Sequence, residues 1–112
     1  MVSDEVELLR VPGALAMPVG SGRCIAAGEK RIALFRTEDG FFALDDTCPH
    51  RGGSLSEGDL IDGEVVCPWH FWPFDLATGT HQPSGGRFRV AAYPTRTEGD
   101  DIVIEITQDP LR

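Results

Sequence analysis

Three observations predict an antiparallel, all-β fold for this 112-residue chain. Thirteen Gly and eight Pro interrupt the sequence too often for long helices. Apolar residues recur with a period of two in short stretches, the pattern of half-buried strands, and no stretch of about ten residues keeps a helical period. Turn-forming residues stand between those stretches at hairpin spacing.

The elements follow in chain order. Strands are expected from about residue 5, with a short turn near Gly13 to Met17. Arg23 to Ala27 is expected to pair with Ile32 to Phe35 across Gly28-Glu29. Lys30 to Thr37 and Phe41 to Leu44 read as a hairpin whose turn is supplied by Asp39-Gly40. Phe88 and Val90 alternate with Arg87 and Arg89, which predicts another strand. Tyr93 to Thr97 and Asp101 to Ile106 form a last hairpin through Glu98-Gly99-Asp100, with Ile102, Ile104 and Ile106 on one face. The β framework therefore spans about residues 5–45 and 87–107 of a single domain, 1–112, with a loop-rich insertion at about 46–86.

Composition limits the function. No apolar run approaches the roughly 20 residues that cross a bilayer. The start, Met1 to Glu7, is acidic and lacks the basic and apolar regions of a secretory signal, so a cytoplasmic location is expected. A net charge of −8 argues against nucleic acid or membrane as a partner. From Asp45 to Pro83, seven acids (Asp45, Asp46, Glu57, Asp59, Asp62, Glu64, Asp75) face the single base Arg51, a net of −6 out of −8. That lobe is either a solvated surface or a docking face for basic rims on redox partners.

The insertion holds two short motifs, Cys48-Pro49-His50 and Cys67-Pro68-Trp69-His70, with sixteen residues between His50 and Cys67. Pro49 and Pro68 fix φ directly after each cysteine. Gly52, Gly53, Gly58 and Gly63 let the backbone fold closely and aim amides at a bound group. Paired thiolate and imidazole suit a binuclear iron–sulfur centre in which two Cys hold one iron and two His the other. Zinc is the competing metal, but its usual sites pair Cys with Cys and His with His at wider spacing. The third cysteine, Cys24, sits in an alternating apolar stretch and reads as a small buried hydrophobe without function.

Cys48-x-His50, the sixteen-residue spacer and Cys67-x-x-His70 resemble the Rieske [2Fe–2S] family, as do the flanking Arg51-Gly52-Gly53, Leu55, Gly58, Phe74-Asp75-Leu76 and Thr78-Gly79. The resemblance implies a Rieske-type antiparallel β sandwich or barrel base carrying an inserted cluster-binding subdomain. It implies one [2Fe–2S] cluster per chain, with Cys48 and Cys67 on the inner iron and His50 and His70 on the outer. It also implies a third, proline-containing loop shielding the cluster, here Pro83-Ser84-Gly85-Gly86.

High-potential members of that family carry an extra disulfide and donate Ser and Tyr hydrogen bonds into the cluster. The corresponding positions here are Gly53 and Trp69 for the disulfide, and Trp72 and Phe74 for the donors. Losing donors to sulfur disfavours the reduced cluster, which predicts a midpoint potential at about −150 mV. A potentiometric titration giving a value above roughly zero would refute this side-chain reading. Low-potential relatives usually have Gly after the second His, where this chain has Phe71. A bulky residue there either packs against the β base or offers a partner an apolar contact.

The resemblance implies a soluble one-electron carrier between a flavoprotein reductase and an oxygenase. The alternative is the small Rieske subunit of an assimilatory nitrite reductase or similar oxidoreductase, acting on its large subunit. A structural zinc protein is the remaining reading. An oxygenase in its own right needs two further His and a carboxylate for a mononuclear iron, and besides His50 and His70 the chain has only His81. His81 is expected at the surface near the third loop, and the chain acts as an electron-transfer component rather than a catalyst by itself.

Overall fold

The computed structural model describes residues 6–48, 53–68 and 71–107. Those residues form ten strands in three antiparallel sheets with three short 3-10 turns, and no α-helix occurs among them.

The central sheet grows from two hairpins. Strand β2 (Ser21–Ala27) pairs with β3 (Lys30–Thr37) from Ser21–Arg36 to Ala27–Lys30, across Gly28-Glu29 as expected. Strand β3 pairs in turn with β4 (Gly40–Asp45), from Thr37–Gly40 to Ile32–Asp45. The second turn is Glu38-Asp39 rather than Asp39-Gly40, because the Thr37 hydroxyl accepts the Asp39 amide at 3.0 Å and closes the bend one residue earlier.

The remaining strands complete two sheets and add a third. In the first sheet β1 (Val6–Val11) lies beside β10 (Asp101–Thr107), which pairs on its other side with β9 (Thr95–Glu98). In the insertion β5 (Asp59–Ile61), β6 (Glu64–Val66) and β7 (Pro73–Asp75) make a small meander. Strand β8 (Ala92–Tyr93) closes the far edge of β4. The strand expected over Tyr93 to Thr97 is divided by Pro94, which has no amide to donate. Ala92 and Tyr93 therefore stay with β4, while Thr95 to Glu98 pass to β10.

The run Ile32-Ala33-Leu34-Phe35 explains how the insertion is attached. All four residues are fully buried, so β3 is covered on both faces. Ile32 and Leu34 enter one core with Val11, Ala43, Tyr93, Ile102, Ile104 and Ile106, between the first two sheets. Ala33 and Phe35 enter a second core with Leu44, Leu55, Val65, Phe74, Leu76 and Val90. The insertion is therefore mounted on the back of β3 and β4 and shares its core with them. The Tyr93 hydroxyl, which donates to Asp45 Oδ1 at 2.6 Å, ties β8 to the end of β4 where the insertion begins.

Two further expectations are corrected. Residues 87–90 form no strand, because they lie against the loop after β7: Val90 N donates to Gly79 O, His81 N to Phe88 O, and Thr80 bridges Arg89. Cys24 is exposed rather than buried. It pairs with Ala33 and shares its face, but β2 is the sheet's edge strand and the second core does not reach that far.

Candidate metal centre

Two loops of equal construction project from the insertion. Thr47 bridges Ser54 and Val66 pairs with Pro73, so each loop hangs from one antiparallel pair. Inside each pair the same bond recurs: Cys48 N donates to Gly53 O at 2.8 Å, and Cys67 N to Trp72 O at 2.8 Å. Both loops thus span six residues, 48–53 and 67–72, and both open on Cys-Pro. The sequence signal for this equivalence is the shared Cys-Pro start, whereas the antiparallel pairs that close the loops depend on tertiary partners. His50 and His70 belong to these loops and lie outside the described residues, as do Pro49, Arg51, Gly52 and Trp69.

Cys48 and Cys67 are 1% and 0% exposed and sit in the same apolar cluster as Phe35, Leu44, Leu55 and Phe74. Neither forms a disulfide. Apolar burial disfavours a thiolate unless a metal compensates its charge. Two buried sulfurs at the heads of matched loops, each followed by an imidazole in the same loop, fit a cluster held by Cys on one side and His on the other.

A polar network braces the first loop. Asp46, two residues before Cys48, is 2% exposed. Its carboxylate accepts the Ser54 hydroxyl at 2.6 Å and the Ser56 amide at 2.7 Å, and the Cys24 thiol lies 3.6 Å from Oδ2. Its backbone accepts Leu55 N at 2.7 Å and donates to Arg31 O at 2.9 Å. Burial alone raises the Asp46 pKa, but the Ser54 hydroxyl and the Ser56 amide outweigh it and hold the group below the usual carboxylate range. The Ser54-x-Ser56 pair after the loop was the sequence signal for this bracing.

An aromatic stack braces the second loop. His81, expected at the surface, is 5% exposed and its ring lies on Trp72, centroids 4.1 Å apart and 14° from parallel. Phe88 meets Trp72 edge-on at 5.1 Å, and Phe74 packs against His81 at 5.6 Å. The loop after β7 reaches this stack by a close backbone approach: a Cβ on Gly79 would stand 2.1 Å from Val90 O. The 3-10 turn Gln82–Ser84 and Gly85 follow directly, so the proline loop is carried beside Trp72.

Phe71 does not pack against the β base. It is 75% exposed and has a φ of 60°, a left-handed conformation costly for a bulky residue. Of the acids in the lobe, Glu57, Asp59 and Asp62 are exposed. By contrast Arg10 and Arg96 are engaged in ion pairs with Glu98, Asp101 and Glu105 on the first sheet.

Comparison with known proteins agrees with this geometry. Residues 9–94 match the family model for the Rieske [2Fe–2S] domain. The biphenyl dioxygenase ferredoxin subunit of Pseudomonas sp. (strain KKS102) is 32% identical over 96 residues, which cover 85% of this chain and 88% of that protein. A chain in the solved complex of reduced oxygenase and oxidised ferredoxin in carbazole 1,9a-dioxygenase superposes with a TM-score of 0.78 at 30% identity, covering 87% of this chain and 91% of that one. A chain assigned as the small subunit of an NADH-dependent nitrite reductase from Mycobacterium tuberculosis superposes with a TM-score of 0.82 at 24% identity, covering 91% and 96%, a likeness of fold.

Proposed function

The chain belongs to the Rieske [2Fe–2S] domain family, and on that footing we propose that it is a one-electron carrier serving an oxygenase, with a flavin-dependent reductase as its donor. The observation that carries this reading is the pair of matched loops, each opening on a buried cysteine, in a chain that resembles a dioxygenase ferredoxin subunit over most of its length. When bound, the cluster supplies a one-electron couple. Cys48 and Cys67 would hold one iron as thiolates, and their burial keeps water from the sulfurs. His50 and His70 would supply imidazole nitrogens to the other iron. Residues 46–86 form the cluster-binding lobe, and Pro83 to Gly86, held beside Trp72 through His81, cover it on one side.

The carrier reading is preferred to that of a nitrite reductase small subunit. The likeness to the ferredoxin subunit extends through sequence, whereas the likeness to the nitrite reductase subunit is one of fold. Exposed acids on the lobe support transient docking against basic rims. Raising the ionic strength from about 0.01 M to about 0.5 M is expected to slow reduction by the reductase several-fold in stopped-flow traces, because the Debye length shrinks from about 30 Å to a few Å. A rate indifferent to salt would show that the lobe is only a solvated surface.

Metal analysis and spectroscopy test the whole reading. The purified chain is expected to contain two irons and two labile sulfides, and its dithionite-reduced form to give an electron paramagnetic resonance signal of mixed Cys and His ligation. One zinc, or a signal of four-thiolate ligation, overturns it. Recovery only in a permanent complex with a large subunit favours the alternative.

A further inference from the structure

Asp46 is a buried carboxylate whose partners among the described residues are all neutral donors: the Ser54 hydroxyl, the Ser56 amide and the Cys24 thiol. Burying an anion is costly, and these donors only offset the cost. An asparagine could occupy the same place, accepting from the Ser56 amide through its oxygen and donating to the Ser54 oxygen through its nitrogen. The backbone bonds from Leu55 N and to Arg31 O would survive that exchange unchanged. Bracing the first loop therefore needs the shape of Asp46 but not its charge.

The charge stands two residues before Cys48, and Asp46 is tied by the Leu55 amide to the core that holds both Cys48 and Cys67. Reduction of the bound centre adds one electron and no compensating cation, so a fixed anion nearby opposes it. We propose that Asp46 is a positioning and electrostatic residue for electron transfer, whose buried negative charge lowers the reduction potential of the cluster held by the adjacent loop. This rests on the cluster reading given above.

The test is a mediator-poised spectroelectrochemical titration of the holoprotein, with dithionite as the reductant. Asp46→Asn is expected to favour the reduced form about tenfold at a fixed potential, an upward shift of about 59 mV for one electron. Its electron paramagnetic resonance signal should stay that of the parent. Ser54→Ala keeps the charge but removes the donor at 2.6 Å, and should leave the midpoint at or below that of the parent. An unchanged midpoint in Asp46→Asn, or an equal rise in both variants, overturns the proposal, the second by showing that loop positioning alone matters. Should Asp46→Asn fail to load, Asp46→Ser decides, since it also removes the charge and keeps an oxygen that can accept from the Ser56 amide. A rise there supports the proposal, and no rise overturns it. Absence of any Rieske-type signal in the parent would instead remove the cluster reading, and this inference with it.

Discussion

Replacing Cys67 with serine is expected to abolish cluster incorporation, while the same change at Cys24 leaves it intact. Cys67 is fully buried in the core it shares with Cys48, at the head of a loop closed by its own amide. A serine there removes the thiolate that a [2Fe–2S] centre needs on its inner iron. It also buries a hydroxyl among Val65, Phe74 and Leu76, at a cost of about 1–3 kcal/mol if unpaired. Iron content should fall from about two per chain to near zero, with the melting temperature lower by roughly 10 °C. Cys24 is exposed on an edge strand and its thiol lies against Asp46 and Ser56, away from the core that holds Cys48 and Cys67, so Cys24→Ser should match the parent in iron, sulfide and visible absorbance. Retention of the parent spectrum by Cys67→Ser would remove Cys67 from the ligand set, and loss of iron from Cys24→Ser would show that the exposed thiol takes part.

The contrast between the cysteines also shows what could be read from sequence. Hairpins were legible where a two-residue turn sits between alternating stretches, as at Gly28-Glu29, because turn geometry then fixes register without help from the rest of the chain. The openings of the two matched loops were legible for a similar reason: Cys-Pro at the start of each is a local signal. What sequence missed depended on tertiary partners. Cys24 alternates like a core residue, but its strand turned out to lie at an edge. Phe88 and Val90 alternate like a strand, yet their backbone is used by Gly79 and His81. His81 resembled a surface histidine until Trp72 supplied a ring to lie on. The bracing of the two loops, through Asp46 and through Trp72, is non-local in the same way.

Gly58→Ala is expected to destabilise the protein by about 3 kcal/mol, although its backbone conformation suits any residue. With φ −81° and ψ 172° the position carries no left-handed strain. The obstacle is steric: a Cβ there would stand 2.2 Å from the Val66 carbonyl oxygen and 3.1 Å from Val65 Cγ2. The nearest atoms belong to backbone and cannot rotate away, so the two segments must separate. Gly58 ends the turn that follows the first loop, its amide donating to Leu55 O at 2.9 Å, and Val66 immediately precedes Cys67. Separation at this point therefore moves the exit of one ligand loop away from the entry of the other. A two-sided site is sensitive to such a shift, because metal–ligand distances tolerate only about 0.2 Å. The melting temperature should drop by roughly 10–15 °C, and iron occupancy should fall further than that drop alone would cause. The decisive comparison is iron per folded chain at a temperature well below the transition, where both proteins are native by circular dichroism. Reduced occupancy there means that the contact between Gly58 and Val66 sets the spacing of the loops, whereas full occupancy means that it only stabilises the lobe.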